Sequence, residues 1–288
     1  MKKNIIIILT IGLVMMVTTG CKKDNGNNSA AVHLPVLTTT AITAVTQKTA
    51  ACGGNITSDG GATISSSGVC WSTKNEPTIS DNKTVDGNGT GSFTSSLTGL
   101  TSAAVYNVRA YATNSLGTAY GNKIIFSALE IGQLYQGGSI AYILQPGDPG
   151  YTDGPAHGII ASPLTSNGIK WFPSTTFITT GAKATALGTG SANTALIVAT
   201  QKPGTYAANA CFTEKEGIYD DWYLPSKDEM NKLYLARNKI SSLPPTGYIW
   251  TSSENSNTEV WIQSFTTGAQ STYDKNGSGF WTWAIRSF

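Results

Sequence analysis

The side chains that could do acid–base work crowd into one part of the chain. Glu214, Glu216, Asp220 and Asp221 lead into D-D-W-Y-L-P-S-K-D-E-M-N-K-L-Y, Asp220 to Tyr234, which adds Lys227, Asp228 and Glu229. Two carboxyl groups held several ångströms apart are what glycoside hydrolysis needs. The same residues also have a structural reading. Ser226 lies three residues before Glu229, the S-x-x-E capping box in which each side chain reaches the other's free backbone N–H. Pro225 before the cap, with Met230, Leu233 and Tyr234 at helical spacing, predicts an amphipathic helix from Ser226 to about Arg237. Asp228 and Glu229 then suit the positive end of that helix and Arg237 its negative end. With 17 acids in the chain some must be neighbours, so helix ends account for these better than catalysis does.

Other chemistries lack raw material. The only histidines are His33 and His157, and a Ser-His-Asp relay would have to use His157, which no G-x-S-x-G elbow accompanies. Four cysteines, Cys21, Cys52, Cys70 and Cys211, and two histidines do not suggest a metal site. The expectation is a protein that is not an enzyme, with no catalytic residues, cofactor or metal.

The elements that must position any site begin after an export signal. Lys2 and Lys3 precede an apolar run, Ile5 to Val17, too short for a comfortable membrane span and ending in T-T-G-C. This end resembles a bacterial lipobox, with Cys21 after Gly20 as the lipidated mature N-terminus; it departs from the usual pattern at Thr18, where an aliphatic residue is expected. Residues 1–20 are thus read as a lipoprotein signal peptide. Residues 21–33, including the polar K-K-D-N-G-N-N-S-A-A-V, are read as a flexible tether. Diacylglycerol plus an N-acyl chain gives the multiple anchors that stable membrane attachment requires.

A chain of 288 residues accommodates about two further domains. Its charged residues make up only 12%, and 31 Gly with many Ser and Thr point to short strands and tight turns. A net charge of +2 gives no field that would argue for nucleic acid. Over residues 34–128 the segments V-L-T-T-T-A-I-T-A-V-T, T-A-A-C-G-G-N-I-T, S-S-G-V-C-W-S-T, G-S-F-T-S-S-L-T-G-L and Y-N-V-R-A-Y-A-T-N-S-L-G-T-A-Y-G alternate, separated by turn residues. About seven short strands in this length predict an all-β sandwich. The stretch L-T-G-L-T-S-A-A-V-Y-N-V-R-A-Y-A-T-N-S-L-G-T-A-Y-G resembles the end of a fibronectin type III (Ig-like) domain, with Tyr106 as the corner tyrosine. Modules of this kind are usually spacers. Cys52 and Cys70 fall in the second and third strands. In an exported chain they are either a disulfide, closing a loop of about 18 residues and contributing on the order of 3 kcal/mol, or two buried thiols side by side. Cys211 has no evident partner and is expected to be buried and inert.

Residues 129–288 read differently. I-G-Q-L-Y-Q-G-G-S-I-A-Y-I-L and H-G-I-I-A-S-P-L are strand-like, S-A-N-T-A-L-I-V-A-T-Q and Y-A-A-N-A-C-F-T-E-K-E helical. The capped helix comes next, then G-Y-I-W-T-S-S-E, V-W-I-Q-S-F-T-T-G-A-Q and W-T-W-A-I-R-S-F as strands. This order predicts an α+β head domain whose two ends share one sheet. Y-Q-G-G-S-I-A-Y-I, H-G-I-I-A-S, D-D-W-Y-L-P-S-K-D-E-M-N-K-L-Y, Y-I-W-T-S-S-E, V-W-I-Q-S-F-T-T-G and A-I-R-S-F together resemble the C-terminal domain of a bacterial collagen-like adhesin, from Ile131 to Phe288. That family is related in fold to C-type lectin-like and formylglycine-generating-enzyme-like domains. The resemblance implies that Trp222, Leu224 and Pro225 are core and junction residues. It also carries departures. Q-P-G-D, Gln145 to Asp148, lies in the wrong place for a calcium-sugar loop, and the paired cysteines of the oxidase are missing.

The ligand face is expected in the closing region, where strand-like core positions (Val260, Ile262, Phe265) alternate with S-S-E-N-S-N-T-E and T-T-G-A-Q-S-T-Y-D-K-N-G-S-G-F-W-T-W. Loops rich in Ser, Asn, Tyr and Trp pair adaptable hydrogen bonding with rigid aromatic area. The expected set is Asn255, Asn257, Tyr273, Asp274, Asn276 and Trp281, with Tyr273 and Trp281 stacking on a sugar ring or apolar patch. Two functions fit: a lipid-anchored adhesin of the outer membrane and cell surface of a Gram-negative bacterium, binding an extracellular glycan or protein, or a structural component of the envelope that packs against partner proteins.

Overall fold

Alternation of apolar and polar residues dominates the chain, and most of the regular structure is strand. A computed structural model describes residues 31–174, 176–244 and 246–288. The signal peptide, Cys21 and most of the tether lie outside the described residues. Val32 to Phe288 form one unit, and no helix among the described residues is long and apolar enough to cross a membrane.

The first eight strands are β1 (Val36–Thr39), β2 (Ala50–Ser58), β3 (Ser66–Ser72), β4 (Asn82–Lys83), β5 (Gly91–Leu97), β6 (Val105–Asn114), β7 (Gly117–Tyr120) and β8 (Ile124–Ser127). They form two antiparallel sheets. One has the order β1-β2-β5; the other runs β4-β3-β6-β7, with β8 also pairing β6. Ala50, Cys52, Val69, Trp71, Leu97, Val108 and Phe126 fill the space between them. Tyr106 packs on Phe126, and its hydroxyl accepts the Thr101 N–H at 3.0 Å, the contact expected of a corner tyrosine.

Cys52 and Cys70 are free. Val69 and Trp71 both face the core, so the period of two turns the intervening Cys70 out of it, while Cys52 points in. The Cys52 thiol donates to Thr40 O at 3.3 Å and Cys70 to Pro77 O at 3.5 Å. The disulfide alternative is therefore corrected to two separate buried thiols. Burial pushes Cys70 up to about 11.

The remaining strands are β9 (Leu134–Tyr135), β10 (Gly138–Ile143), β11 (Gly158–Asn167), β12 (Tyr248–Glu254), β13 (Glu259–Ser264), β14 (Gln270–Asp274) and β15 (Trp281–Ser287). They make one seven-stranded sheet, β14-β13-β12-β15-β11-β10-β9. Strands from the start and the end of this half share the sheet, as expected, but β10 and β11 stand between β9 and β15. The helices are α1 (Gly190–Gln201), α2 (Ala207–Phe212) and α3 (Lys227–Ala236). α2 stops short of the expected Glu216, because Glu214 to Tyr219 turn back through a Glu216–Tyr219 bridge.

The two faces of this sheet carry separate cores. On one, Ile160, Trp250, Val260, Ile262 and Ala284 pack with Ile197 of α1 and Ala207, Ala208 and Cys211 of α2. On the other, Ile159, Ala161, Ile249, Trp283 and Ile285 pack with Met230, Leu233 and Ala236 of α3. β15 is covered on both faces, with Trp283 and Ile285 in one core and Ala284 in the other, and even its polar Thr282 and Arg286 are buried, so W-T-W-A-I-R lacks the in–out alternation of a half-exposed strand.

The capping box of α3 is present. Ser226 Oγ accepts the Glu229 N–H, and Glu229 Oε2 accepts the Ser226 N–H at 2.7 Å. Glu229 is fully buried and also takes the Gly188 N–H at 2.9 Å. Burial raises its pKa, and the Ser226 hydrogen bonds pull back. A Cβ at Gly190 would lie 2.2 Å from Glu229 Oε2, so this first residue of α1 has no room for a side chain.

Candidate functional site

W-T-S-S-E and L-P-S meet in space. β12 leaves its ladder with β13 after Trp250, and the freed Ser252 N–H donates to Pro225 O at 2.7 Å. Lys227 N–H donates to Ser253 Oγ at 3.0 Å, and Ser253 Oγ donates to Ala184 O at 2.7 Å. Trp222 is buried, its indole N–H bonded to Tyr219 O at 3.2 Å. The two most distinctive segments thus clamp α3 and the 182–189 segment to the sheet, a scaffold function.

Glu254, at the end of β12, anchors the next layer. Its carboxylate accepts the N–H groups of Thr180 (2.9 Å) and Gly181 (3.0 Å) and the Lys275 ammonium (2.5 Å). Lys275 Nζ also donates to Asn257 O at 2.8 Å and Ile178 O at 3.2 Å, so its three donors are satisfied. Both side chains have 0% exposure, and Nζ sits 4.9 Å from the Trp171 ring centre. Burial lowers the Lys275 pKa, and Glu254 opposes that shift. This ion pair fastens together the turn after β12, the loop after β14 and the 168–182 segment.

An aromatic strip rests on this support. Phe280 is buried, with its ring 4.3 Å from Trp250, 5.7 Å from Tyr248 and 4.9 Å from Tyr273. Tyr248 and Tyr273 are 49% and 48% exposed. The register puts these residues on one face: Trp250 opposes Ile262 and Val260 opposes Tyr273, and Trp250, Val260 and Ile262 share one core. Gly277 closes the strip, since a Cβ there would lie 2.7 Å from the Tyr273 ring and 2.9 Å from Phe280.

Five of the six expected ligand residues lie at this end of the sheet. Asn255 and Asn257 are exposed in the β12–β13 turn, and Asn255 Nδ2 donates to Glu259 Oε2 at 3.1 Å. Asp274 is exposed and its Oδ1 accepts the Asn276 N–H at 2.7 Å. Asn276 Oδ1 is enclosed without a hydrogen-bond partner among the described residues.

Trp281 is the exception. It is half-buried against the core of the opposite face, beside Gly247, where a Cβ would lie 3.2 Å from its ring. Trp281, Trp283 and Ile285 share that face by the period of two, so Trp281 and Tyr273 cannot stack on one ligand. Tyr248 takes the place expected of Trp281. Its signal was legible: it stands two residues before Trp250 and so shares that residue's face.

The acids of the opening stretch are dispersed. Asp221 pairs with Arg286 at 2.6 and 3.0 Å, an interaction that lowers its pKa. Glu214 accepts the Ser162 hydroxyl, and burial raises its carboxyl to about 7. His157 is exposed, and its Nδ1 lies 3.3 Å from Phe288 O rather than on a serine. Asp148 of Q-P-G-D accepts the Tyr142 hydroxyl at 2.6 Å and the Gln145 N–H at 2.8 Å, closing a turn. No group of three His, Cys, Asp or Glu able to hold a metal ion occurs among the described residues. A groove of about 1110 Å³ lies elsewhere, between β8 and the 142–157 segment, with Ile42, Phe126, Leu144 and Tyr151 in its walls; none of the six residues lines it.

No protein-family model matches the chain, and no curated protein is similar to it in sequence. Among solved structures, a fimbrial protein from Bacteroides ovatus is similar over 78% of this chain and 64% of that one, at 12% identity and a TM-score of 0.38. The sensor domain of the anti-sigma factor RsgI4 from Pseudobacteroides cellulosolvens is similar at 12% identity and a TM-score of 0.26, over 35% of this chain and 100% of that one. Domains A168–A170 of titin are similar at 16% identity and a TM-score of 0.26, over 34% of this chain and 32% of that one. These are weak similarities to the fold.

Proposed function

We propose that the protein is a non-enzymatic, lipid-anchored protein of the bacterial cell surface. Its C-terminal half acts as a C-type lectin-like head, and its fibronectin type III-like sandwich as a spacer. The head binds an extracellular glycan or protein across Tyr248, Phe280 and Tyr273. One observation carries this reading. Two half-exposed tyrosines flank a buried phenylalanine on one face, with Asn255, Asn257, Asp274 and Asn276 grouped at the same end of the sheet. Phenol rings offer flat apolar area with a polar tip, and the amides and carboxylate offer hydrogen bonds around it. The buried ion pair beneath fixes these loops before a ligand arrives, which reduces the ordering cost of binding.

The test is a glycan array and a surface-protein binding screen with the full chain, repeated with Tyr248→Ala and Tyr273→Ala. Each variant is expected to weaken binding by about 2 kcal/mol while keeping the wild-type unfolding midpoint. Unchanged affinity in both variants moves the site elsewhere.

A further inference from the structure

β14 is an edge strand of the seven-stranded sheet, paired only with β13. Its register is regular: Glu259 faces Asp274, and the pairs continue without a shift to Gln263 and Gln270. The bonds Ser264 N–H to Ala269 O and Lys275 N–H to Thr258 O fix which pairs in this ladder are hydrogen-bonded. Counting inward by twos, Ser271 and Tyr273 direct their backbone groups at β13, whereas Gln270, Thr272 and Asp274 turn theirs outward. Of the usual guards against pairing the edge carries one charge, Asp274, whose C=O also accepts the Gly277 N–H at 2.9 Å. Gln270 to Asp274 contain no proline and no lysine, and no bulge interrupts them.

We infer that a second copy of this chain pairs with β14, strand to antiparallel strand, about a two-fold axis through Thr272. In that register Thr272 faces Thr272 of the second copy and Gln270 faces its Asp274, so each outward-directed residue meets an outward-directed one. Moving the axis to Asp274 would set two carboxylates against each other, and like charges directly opposite destabilise a pair. Moving it by one residue would misalign donors and acceptors. On the aromatic face, Tyr273 comes opposite Ser271 of the other copy, a large residue over a small one. The two aromatic strips then run side by side across the axis. This pairing does not depend on the ligand proposed for the strip.

Sedimentation of the full chain in mild detergent over a range of concentrations is the test, with Thr272→Pro as the variant. Proline there removes an outward N–H and no bond to β13, so the monomer should keep its fold. The expected result is a reversible monomer–dimer equilibrium whose Kd rises at least about tenfold in the variant. A monomer at every concentration, a dimer untouched by Thr272→Pro, or a different protein found on the edge overturns the inference. Should Thr272→Pro fail to fold, Thr272→Cys decides. Hydrogen-bonded partners have Cα atoms about 5.5 Å apart, inside the roughly 4.4–6.8 Å a disulfide spans. Mild oxidation must therefore give a covalent dimer that the unchanged chain does not form, and its absence overturns the pairing.

Discussion

Lys275 and Glu254 show how much one pair of side chains can decide. Each has left water completely, and their attraction offsets that cost only while every remaining donor and acceptor is satisfied. Glu254→Gln or Lys275→Met strands a buried partner, so each single change should cost about 3–5 kcal/mol in chemical denaturation, whereas an apolar replacement of both should recover most of that loss. Single variants at wild-type stability would mark the pair as dispensable. Glu214 works in the opposite sense. Its folded carboxyl titrates at about 7, above the ordinary carboxyl range, because burial disfavours the charge. A raised pKa means that its contribution to stability is fully present below the unfolded-state pKa and is lost as pH rises through about 7. Glu214→Gln should therefore be more stable than wild type at pH 8, by on the order of 1 kcal/mol once solvent screening is allowed for, and this difference should vanish near pH 4. Equal pH profiles for the two proteins would rule this out.

At the scale of elements, alternation made most strands legible, and the capping box made α3 legible almost to the residue. Legibility ended where position depends on contacts distant in sequence. A lysine in Y-D-K-N-G reads as a solvated loop charge; only the arrival of Glu254, 21 residues earlier, makes it core. Trp281 could be placed on either face until the strand's parity was fixed by Trp283 and Ile285, which both lie against α3. Pro163 acts similarly in β11, where the register with β15 shifts between Ala161 and Thr165 because proline has no N–H for the ladder. The L-P-S junction is the element whose removal should be felt most. Trp222→Ala should cost about 3–5 kcal/mol as a large-to-small core change, read from the unfolding midpoint. A variant that keeps its stability yet loses ligand would turn Trp222 from scaffold into site.

For the whole molecule, three hydrogen bonds link the two β regions beside the buried Ala128 and Leu129. Gln47 Nε2 donates to Glu130 Oε1 at 2.9 Å, Gln133 Nε2 to Ser102 Oγ at 3.0 Å, and the Ala156 N–H to Ser127 Oγ at 3.0 Å. Ala128 belongs to the first region, bonded to Ala103 and Ala104 and buried with Val108 and Phe126. Chains divided just after this residue should each unfold in one cooperative calorimetric transition, and loss of cooperativity in either half would place the boundary elsewhere. The strand order has a different reach. β15, residues 281–287, lies in the middle of the seven-stranded sheet, parallel to β12 and antiparallel to β11. Until it emerges from the ribosome, β9 to β11 and β12 to β14 are two ribbons with no strand to join them. The seven-stranded sheet can close only after β15 has been synthesised, so a chain truncated before Trp281 should be left open to proteases.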